Sequence, residues 1–214
     1  MSIRVLSVNV GDLETIPWAS KSSRTGIFKR PVAGYVEVEN DGLRGDQIGS
    51  VKYHGGPDQA VYLYSAEDYR WWETELEREL SPGIFGENLT LTDFGPHPLR
   101  VGDRLRVGEV ILECSGPRIP CVTLAQRMQD PKFVKRFAQA NRGGCYARVL
   151  SPGRVAQGME VEILPTSAGY PTVDEVFALC HSRNKDPELV QRALESPLAQ
   201  RCREDLQKWR DKQK

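Results

Sequence analysis

The feature that most narrows the fold of this chain is the rhythm of β-type runs over its first three quarters. IRVLSVNV, GYVEVE, QAVYLY, NLTLTDF, RLRVGEVILECS, GCYARVL and MEVEILP follow one another between residues 3 and 165. Each is rich in β-branched and aromatic residues, and turns such as NDG, SPG and VGD separate them. A doubly wound sheet needs a helix between most strands, and that alternation is missing here. The reading is a mainly β fold with some α: a barrel or a sandwich.

Two helical stretches interrupt the strands. AEDYRWWETELEREL puts Tyr69, Trp72, Leu76 and Leu80 on one stripe, with Ser65 and Asp68 spaced as a capping box. LAQRM and DPKFVKRFAQA form the second, with Thr123 as a candidate cap and Asp130-Pro131 in cap and first-turn positions. Past Pro165 the pattern changes. Thr172-x-x-Glu175, Asp186-Pro187 and Ser196-Pro197 read as three successive helix starts, each before an apolar stripe. The expected division is therefore residues 1–165 as a β domain and 166–214 as a three-helix C-terminal module, joined at TSAGYP. So small a unit has little core of its own, so it is expected to pack on the β domain or on a second copy of the chain, as a homodimer.

Lys plus Arg and Asp plus Glu both number 29, giving a formal net charge of zero. No global field draws the chain to nucleic acid or to a membrane surface, and neither is expected as a partner. No leader segment and no apolar run of membrane-spanning length is visible. The five cysteines (114, 121, 145, 180 and 202) include no CxxC pair. Free thiols in a reducing, cytoplasmic setting are the expectation.

Cys121 is the foremost candidate for chemistry. It lies in SGPRIPCVTL, behind Pro117, Arg118 and Pro120 and at the start of a helix. A helix start and a neighbouring cation both favour the reactive thiolate, while a packed, inert thiol is the competing reading. Cys180 and Cys202 fall on apolar stripes, Cys114 at a strand end and Cys145 at a strand start, where packing explains them. His54 opens HGGPD, a tight turn whose bare glycine backbone admits close ligand approach; a turn histidine bonded to a carbonyl is the alternative. FGEN sets Glu87 and Asn88 before a strand, either as a simple turn or at a pocket mouth. SKSSRTGIFKRP gathers Lys21, Arg24, Lys29 and Arg30 with Ser22, Ser23, Thr25 and Gly26, either a solvated loop or a phosphate cradle. GxxxxGK[ST], GxGxxG and GxSxG are absent, so the chain carries no nucleotide-loop, dinucleotide or hydrolase-elbow fingerprint.

GIFKRPVAG, GLRGDQ, HGGPDQAVYLY, FGENLT, VGDRLRVGEVILECSGPRIPC and YARVLSPGRV, in that order, resemble the MOSC domain and specifically its YiiM-type branch. The resemblance covers roughly residues 3 to 164. It implies a MOSC-like β-barrel, followed by the three-helix module that accompanies the barrel in YiiM-type proteins. It implies a cleft for the molybdenum cofactor (molybdopterin), with Cys121 as the protein thiolate on molybdenum. Lys29, His54, Asn88, Arg118 and Arg148 map onto the basic and polar residues around the cofactor, and His54 joins Cys121 as a catalytic candidate. The implied activity is reduction of small N-hydroxylated compounds, such as N-hydroxylated purine bases, as a detoxification. With no flavin, nicotinamide or iron–sulfur motif, the electrons would come from an external reductase. Two other classes stand beside it: sulfur transfer through a Cys121 persulfide, and a non-catalytic carrier of the cofactor.

Overall fold

A computed structural model of the chain describes residues 2–16, 24–49 and 54–213; Lys21, Ser22 and Ser23 lie outside these. Seven strands close a barrel: β1 (Ile3–Val10), β2 (Val61–Ser65), β3 (Leu89–Leu91), β4 (Arg104–Val107), β5 (Val110–Pro117), β6 (Cys145–Ser151) and β7 (Glu160–Leu164). Their order is β7-β4-β5-β6-β2-β3-β1, and β1 pairs back onto β7 through Ile3 opposite Val161. Closure leaves no long open edge in the main sheet. All neighbours run antiparallel except β2 and β3, which are parallel with Leu63 opposite Leu89. Parallel neighbours require a crossover, and the helix α1 (Ala66–Leu76) supplies it.

Alternation along β2 shows how the sequence sorts its residues. Val61 and Leu63 face the barrel core with Val5, Leu91, Leu105, Leu112 and Ala147. Tyr62 and Tyr64 face outward, where Trp72 of α1 and Phe133 and Phe137 of α3 (Phe133–Ala140) cover them with Phe85. All five residues of β2 are buried because both of its faces are covered. Trp72 Nε1 donates to Tyr64 OH at 2.8 Å, and Tyr64 OH donates to Arg142 O at 2.9 Å, so both aromatic polar ends are satisfied.

Helix α2 (Val122–Met128) precedes α3, and α4 (Val173–His181), α5 (Pro187–Glu195) and α6 (Gln200–Asp211) follow the barrel. Val176, Leu179, Val190, Ala193, Leu198 and Leu206 from this C-terminal part share a cluster with Val101 of a barrel loop. Ala199 N donates to Ser115 O of β5 at 2.8 Å, fixing the start of α6 against the barrel. No helix among the described residues is long and apolar enough to cross a membrane.

Most local start signals behave as the side chains dictate. Ser65 caps α1 by accepting from Asp68 N, Thr172 and Glu175 form a reciprocal capping box, and Asp186 caps α5 with Pro187 in the first turn. Two differ. Thr123 is not a cap: the cap falls two residues earlier, at Cys121 with its extended backbone, and α2 starts at Val122. Ser196 ends α5 instead of starting α6; its hydroxyl donates back to Ala193 O at 2.7 Å, and Pro197 forces the chain to turn before Gln200. Cys114 also lies within β5, buried in the barrel core, rather than at a strand end.

Candidate active site

A cavity of about 160 Å³ opens where the loop before β2, the FGEN turn, the 24–29 loop and the PRIPC segment meet. Cys121, His54, Arg118, Lys29 and Asn88 all line it, although they are scattered over 93 positions of sequence from 29 to 121. Arg24, Thr25 and Gly26 of the basic loop line it too.

Cys121 follows Pro120 and holds an extended backbone (φ −133°, ψ 168°), while its carbonyl accepts from Leu124 N at 3.0 Å and Ala125 N at 3.2 Å. Its side chain makes no cap bond, so the thiol faces other partners. Burial of the sulfur works to raise its pKa. A hydrogen bond from His54 and the charge of Arg118 outweigh that, with the His54 charge and the Leu124 amide adding to them, and hold the thiol down at about 6. It is a thiolate at neutral pH.

Arg118 is buried beside it. Nη1 donates to Phe85 O at 2.6 Å, and the guanidinium lies 5.0 Å from the centroid of the Tyr62 ring. Gly86 makes this approach possible: it holds a left-handed conformation (φ +79°), and a Cβ there would stand 3.2 Å from Arg118 Nη1 and 3.0 Å from Ile27 Cγ1. Among the described residues, the buried Arg118 Nε has no hydrogen-bond partner.

The sequence pattern pointed to Lys29, but not to its partner. Lys29 Nζ pairs with Asp46 in a contact where both side chains are under a tenth exposed (8% and 7%). Burial pushes the Lys29 ammonium pKa down, and Asp46 opposes that shift. Asp46 also accepts from Gly11 N at 2.9 Å and from Asn88 Nδ2 at 2.9 Å. Asn88 Oδ1 in turn accepts from Tyr62 N at 3.0 Å, so Asn88 ties the FGEN turn to β2 as well as lining the cavity. Asp46 stands in GLRGDQ, directly after Gly45 at φ +87°, and that turn was its only legible signal. Tyr62 and Tyr146 also line the cavity, on strands where nothing in the sequence separated them from ordinary packing.

Arg148 is elsewhere. Its Nε donates to Asp58 Oδ1 at 2.6 Å, and Nη1 donates to Glu113 Oε1 at 3.2 Å and to Pro197 O at 2.7 Å. Two carboxylates and a carbonyl occupy the guanidinium at the joint between the barrel and the C-terminal helices, so Arg148 is not a wall of this cavity. Arg30 likewise turns away and pairs with Glu14 at 2.5 Å. The HGGPD turn is as tight as its glycines suggest, with Gly55 and Gly56 at φ +87° and +78°. His97 is in a loop and His181 ends α4, its Nδ1 2.8 Å from Phe177 O.

The seven-stranded barrel thus carries Cys121 at its rim, set between His54 and the buried Arg118. The MOSC domain family model matches residues 50–162, and the chain belongs to that family. The uncharacterized protein YflK of Bacillus subtilis is 36% identical over 211 residues, covering 97% of this chain and 95% of YflK. A Gibberella moniliformis protein described as a reductase is 30% identical over 178 residues; the match covers 81% of this chain and 32% of that longer protein. The crystal structure of YiiM from Geobacillus stearothermophilus superposes with a TM-score of 0.80 at 28% identity, covering 96% of this chain and 98% of that one.

Proposed function

We propose that the protein is a molybdenum cofactor-dependent reductase of small N-hydroxylated compounds, with Cys121 as the protein ligand to molybdenum. The observation that supports it most directly is the Cys121 thiol, held as a thiolate on the wall of a cavity that also carries Arg24, Lys29 and Arg118. A soft thiolate suits a soft metal–sulfur centre. The cations suit a phosphate-bearing cofactor, and Asp46 is the one carboxylate among the described lining residues. The partnerless Arg118 Nε is a buried donor that a bound acceptor would satisfy. These residues fit the cofactor; the GIFK segment around Gly26 fits it as well, since bare backbone there lines the wall.

When bound, the molybdenum centre supplies two-electron removal of oxygen from substrate. The residues of the chain have narrower tasks. Cys121 anchors the centre. His54 donates to the Cys121 sulfur and keeps it ionised. Arg118 and Lys29 set a positive field on the cofactor side, Lys29 being held in place by Asp46, and Asn88 fixes the turn that closes the cavity. Overall, the N–O bond of the N–OH group breaks, its oxygen leaves as water and the nitrogen keeps a hydrogen in its place, as two electrons and two protons enter. With no electron-carrying motif in the chain, a separate reductase supplies them.

The test is molybdenum per chain by elemental mass spectrometry, on protein from a cofactor-producing host, with Cys121→Ala alongside. Near-stoichiometric metal in the parent and little in the variant, together with turnover of an N-hydroxylated base, supports the assignment. Metal-free parent from a host that loads other molybdoenzymes would overturn it in favour of a persulfide on Cys121.

A further inference from the structure

Cys180 and Cys202 fall on separate apolar stripes of the sequence, and the fold brings them to one place. Both line a cavity of about 670 Å³ between the PRIPC segment and the helices α4 and α6. Both pack, half-buried, against the cluster of Val176, Leu179, Val190 and Leu206 that holds the C-terminal helices together. The two thiols hydrogen-bond to each other. A small reagent entering the cavity can reach them, whereas Cys114 and Cys145 are sealed in the barrel core. Among the described residues no third His, Cys, Asp or Glu completes a metal-ligating group around the pair.

Their places on the helices give the two thiols different chemistry. Cys202 is in the first turn of α6, where the helix dipole favours a thiolate, and the charge of Arg201 adds to it while Asp205 opposes it. Cys180 is in the last turn of α4, where the dipole disfavours a thiolate. The bond from Cys180 lowers the Cys202 pKa against its burial, while that bond and burial together push Cys180 up.

We propose that Cys180 and Cys202 form a reversible dithiol–disulfide site that locks α4 onto α6 when its surroundings turn oxidising. The oxidant is a low-molecular-weight disulfide. The Cys202 thiolate, its proton already lost to solvent, attacks one sulfur of that disulfide; the S–S bond breaks, and a small thiolate leaves and takes a proton from solvent. Cys180 then gives its proton to solvent, attacks the Cys202 sulfur of the mixed disulfide and expels the second small thiol. Two protein thiols are oxidised by two electrons, and one small disulfide is reduced to two thiols. Excess small thiol runs the exchange backwards. In a reducing compartment such a bond is transient, which makes it a responsive site rather than a structural staple. The site is independent of the reductase reading.

The full-length chain is incubated with oxidised glutathione at neutral pH, digested at glutamate without reduction, and mapped by mass spectrometry. Glu188 and Glu195 lie between the two cysteines, so the digest leaves them on separate peptides. The expected result is a Cys180–Cys202 linked pair of peptides and a melting temperature raised by about 5–10 °C, both reversed by dithiothreitol. Cys180→Ser should trap glutathione on Cys202, while Cys202→Ser leaves Cys180 unmodified over the same time. Absence of the Cys180–Cys202 link in the parent overturns the site, as does a link from either cysteine to Cys121. Faster trapping on Cys180 in Cys202→Ser than on Cys202 in Cys180→Ser overturns the order of attack. The parent map alone decides whether the site exists, so the test survives a serine variant that fails to fold.

Discussion

The sharpest physical claim about the site is that His54 holds the Cys121 thiol ionised, and His54→Ala tests it. In the parent, burial of the sulfur is outweighed by the His54 bond and the Arg118 charge, giving a pKa of about 6. A hydrogen bond to a charged group contributes about 1.5–3 kcal/mol. At 1.36 kcal/mol per pKa unit its loss moves the thiol up by about 1 to 2 units, to about 7–8, with Arg118 still in place. At pH 6.5 the thiolate fraction then falls from about three quarters to between roughly a quarter and a thirtieth. The assay is alkylation by iodoacetamide of metal-free protein from a host that cannot make the cofactor, read at the Cys121 peptide by mass spectrometry across pH 5 to 10. Because a more basic thiolate is also intrinsically more nucleophilic, the midpoint of the profile rather than its plateau is the quantity to compare. Parent labelling should rise through pH about 6 and His54→Ala labelling through about 7–8. A parent midpoint near 8.5, or the same midpoint in both proteins, would refute the claim.

Three further outcomes follow from the packing around the site. Asp46→Ala leaves Lys29 buried without its partner and removes an acceptor from Gly11 N and Asn88; a loss of about 3–5 kcal/mol in urea unfolding is expected, and Asp46→Asn should lose less. Trp72→Ala empties the aromatic layer behind β2 and removes the bond the Tyr64 hydroxyl accepts, for a loss of about 3–5 kcal/mol. Glu87 is fully buried, accepts from Tyr69 OH, Gly83 N and Thr90 Oγ1 on one oxygen and has no partner among the described residues on the other, and burial pushes its pKa up. Stability held by the protonated carboxyl is complete below its unfolded pKa and declines as pH rises toward the folded one; Glu87→Gln should flatten that decline in urea melts from pH 4 to 8.

The barrel was legible because strand period and turn chemistry are local. Six of the seven quoted runs hold the seven barrel strands: RLRVGEVILECS, read as one strand, turns at Gly108 into β4 and β5, and GYVEVE joins a separate small sheet; Gly-containing turns fall where φ becomes positive, as at Gly55 and Gly56. The parallel pairing of β2 with β3 was not legible, since it depends on where the chain returns after α1. Cap errors came from equal local candidates. Thr123 and Ser196 both carry capping side chains, yet the cap falls two residues before Thr123, at Cys121 just after Pro120, and the Ser196 hydroxyl finds a carbonyl behind it. Around Cys121 the sequence order of motifs brought out His54, Lys29, Asn88 and Arg118, all of which the fold gathers. Asp46 escaped because a buried counterion has no pattern of its own until its lysine is placed.

Arg148 and Arg118 show why residue type alone does not define this site. Both stand on or just beyond the strand pair β5–β6, both are arginines, and both were candidates for the same task. Arg148 meets Asp58, Glu113 and the Pro197 carbonyl, a set that satisfies a planar guanidinium and links β6 to the chain entering α6. Arg118 meets one carbonyl and the Tyr62 ring, keeps a buried nitrogen without a partner, and acts on the Cys121 sulfur. The difference predicts opposite phenotypes. Arg148→Ala leaves Asp58 without its cation and Glu113 with Arg104 alone, and loosens the joint, lowering thermal stability while the Cys121 alkylation midpoint stays at about 6. Arg118→Met keeps the bulk but removes the charge, so the same midpoint climbs. If Arg148→Ala moved the Cys121 midpoint as far as Arg118→Met does, the separation between a joint residue and a site residue would be wrong.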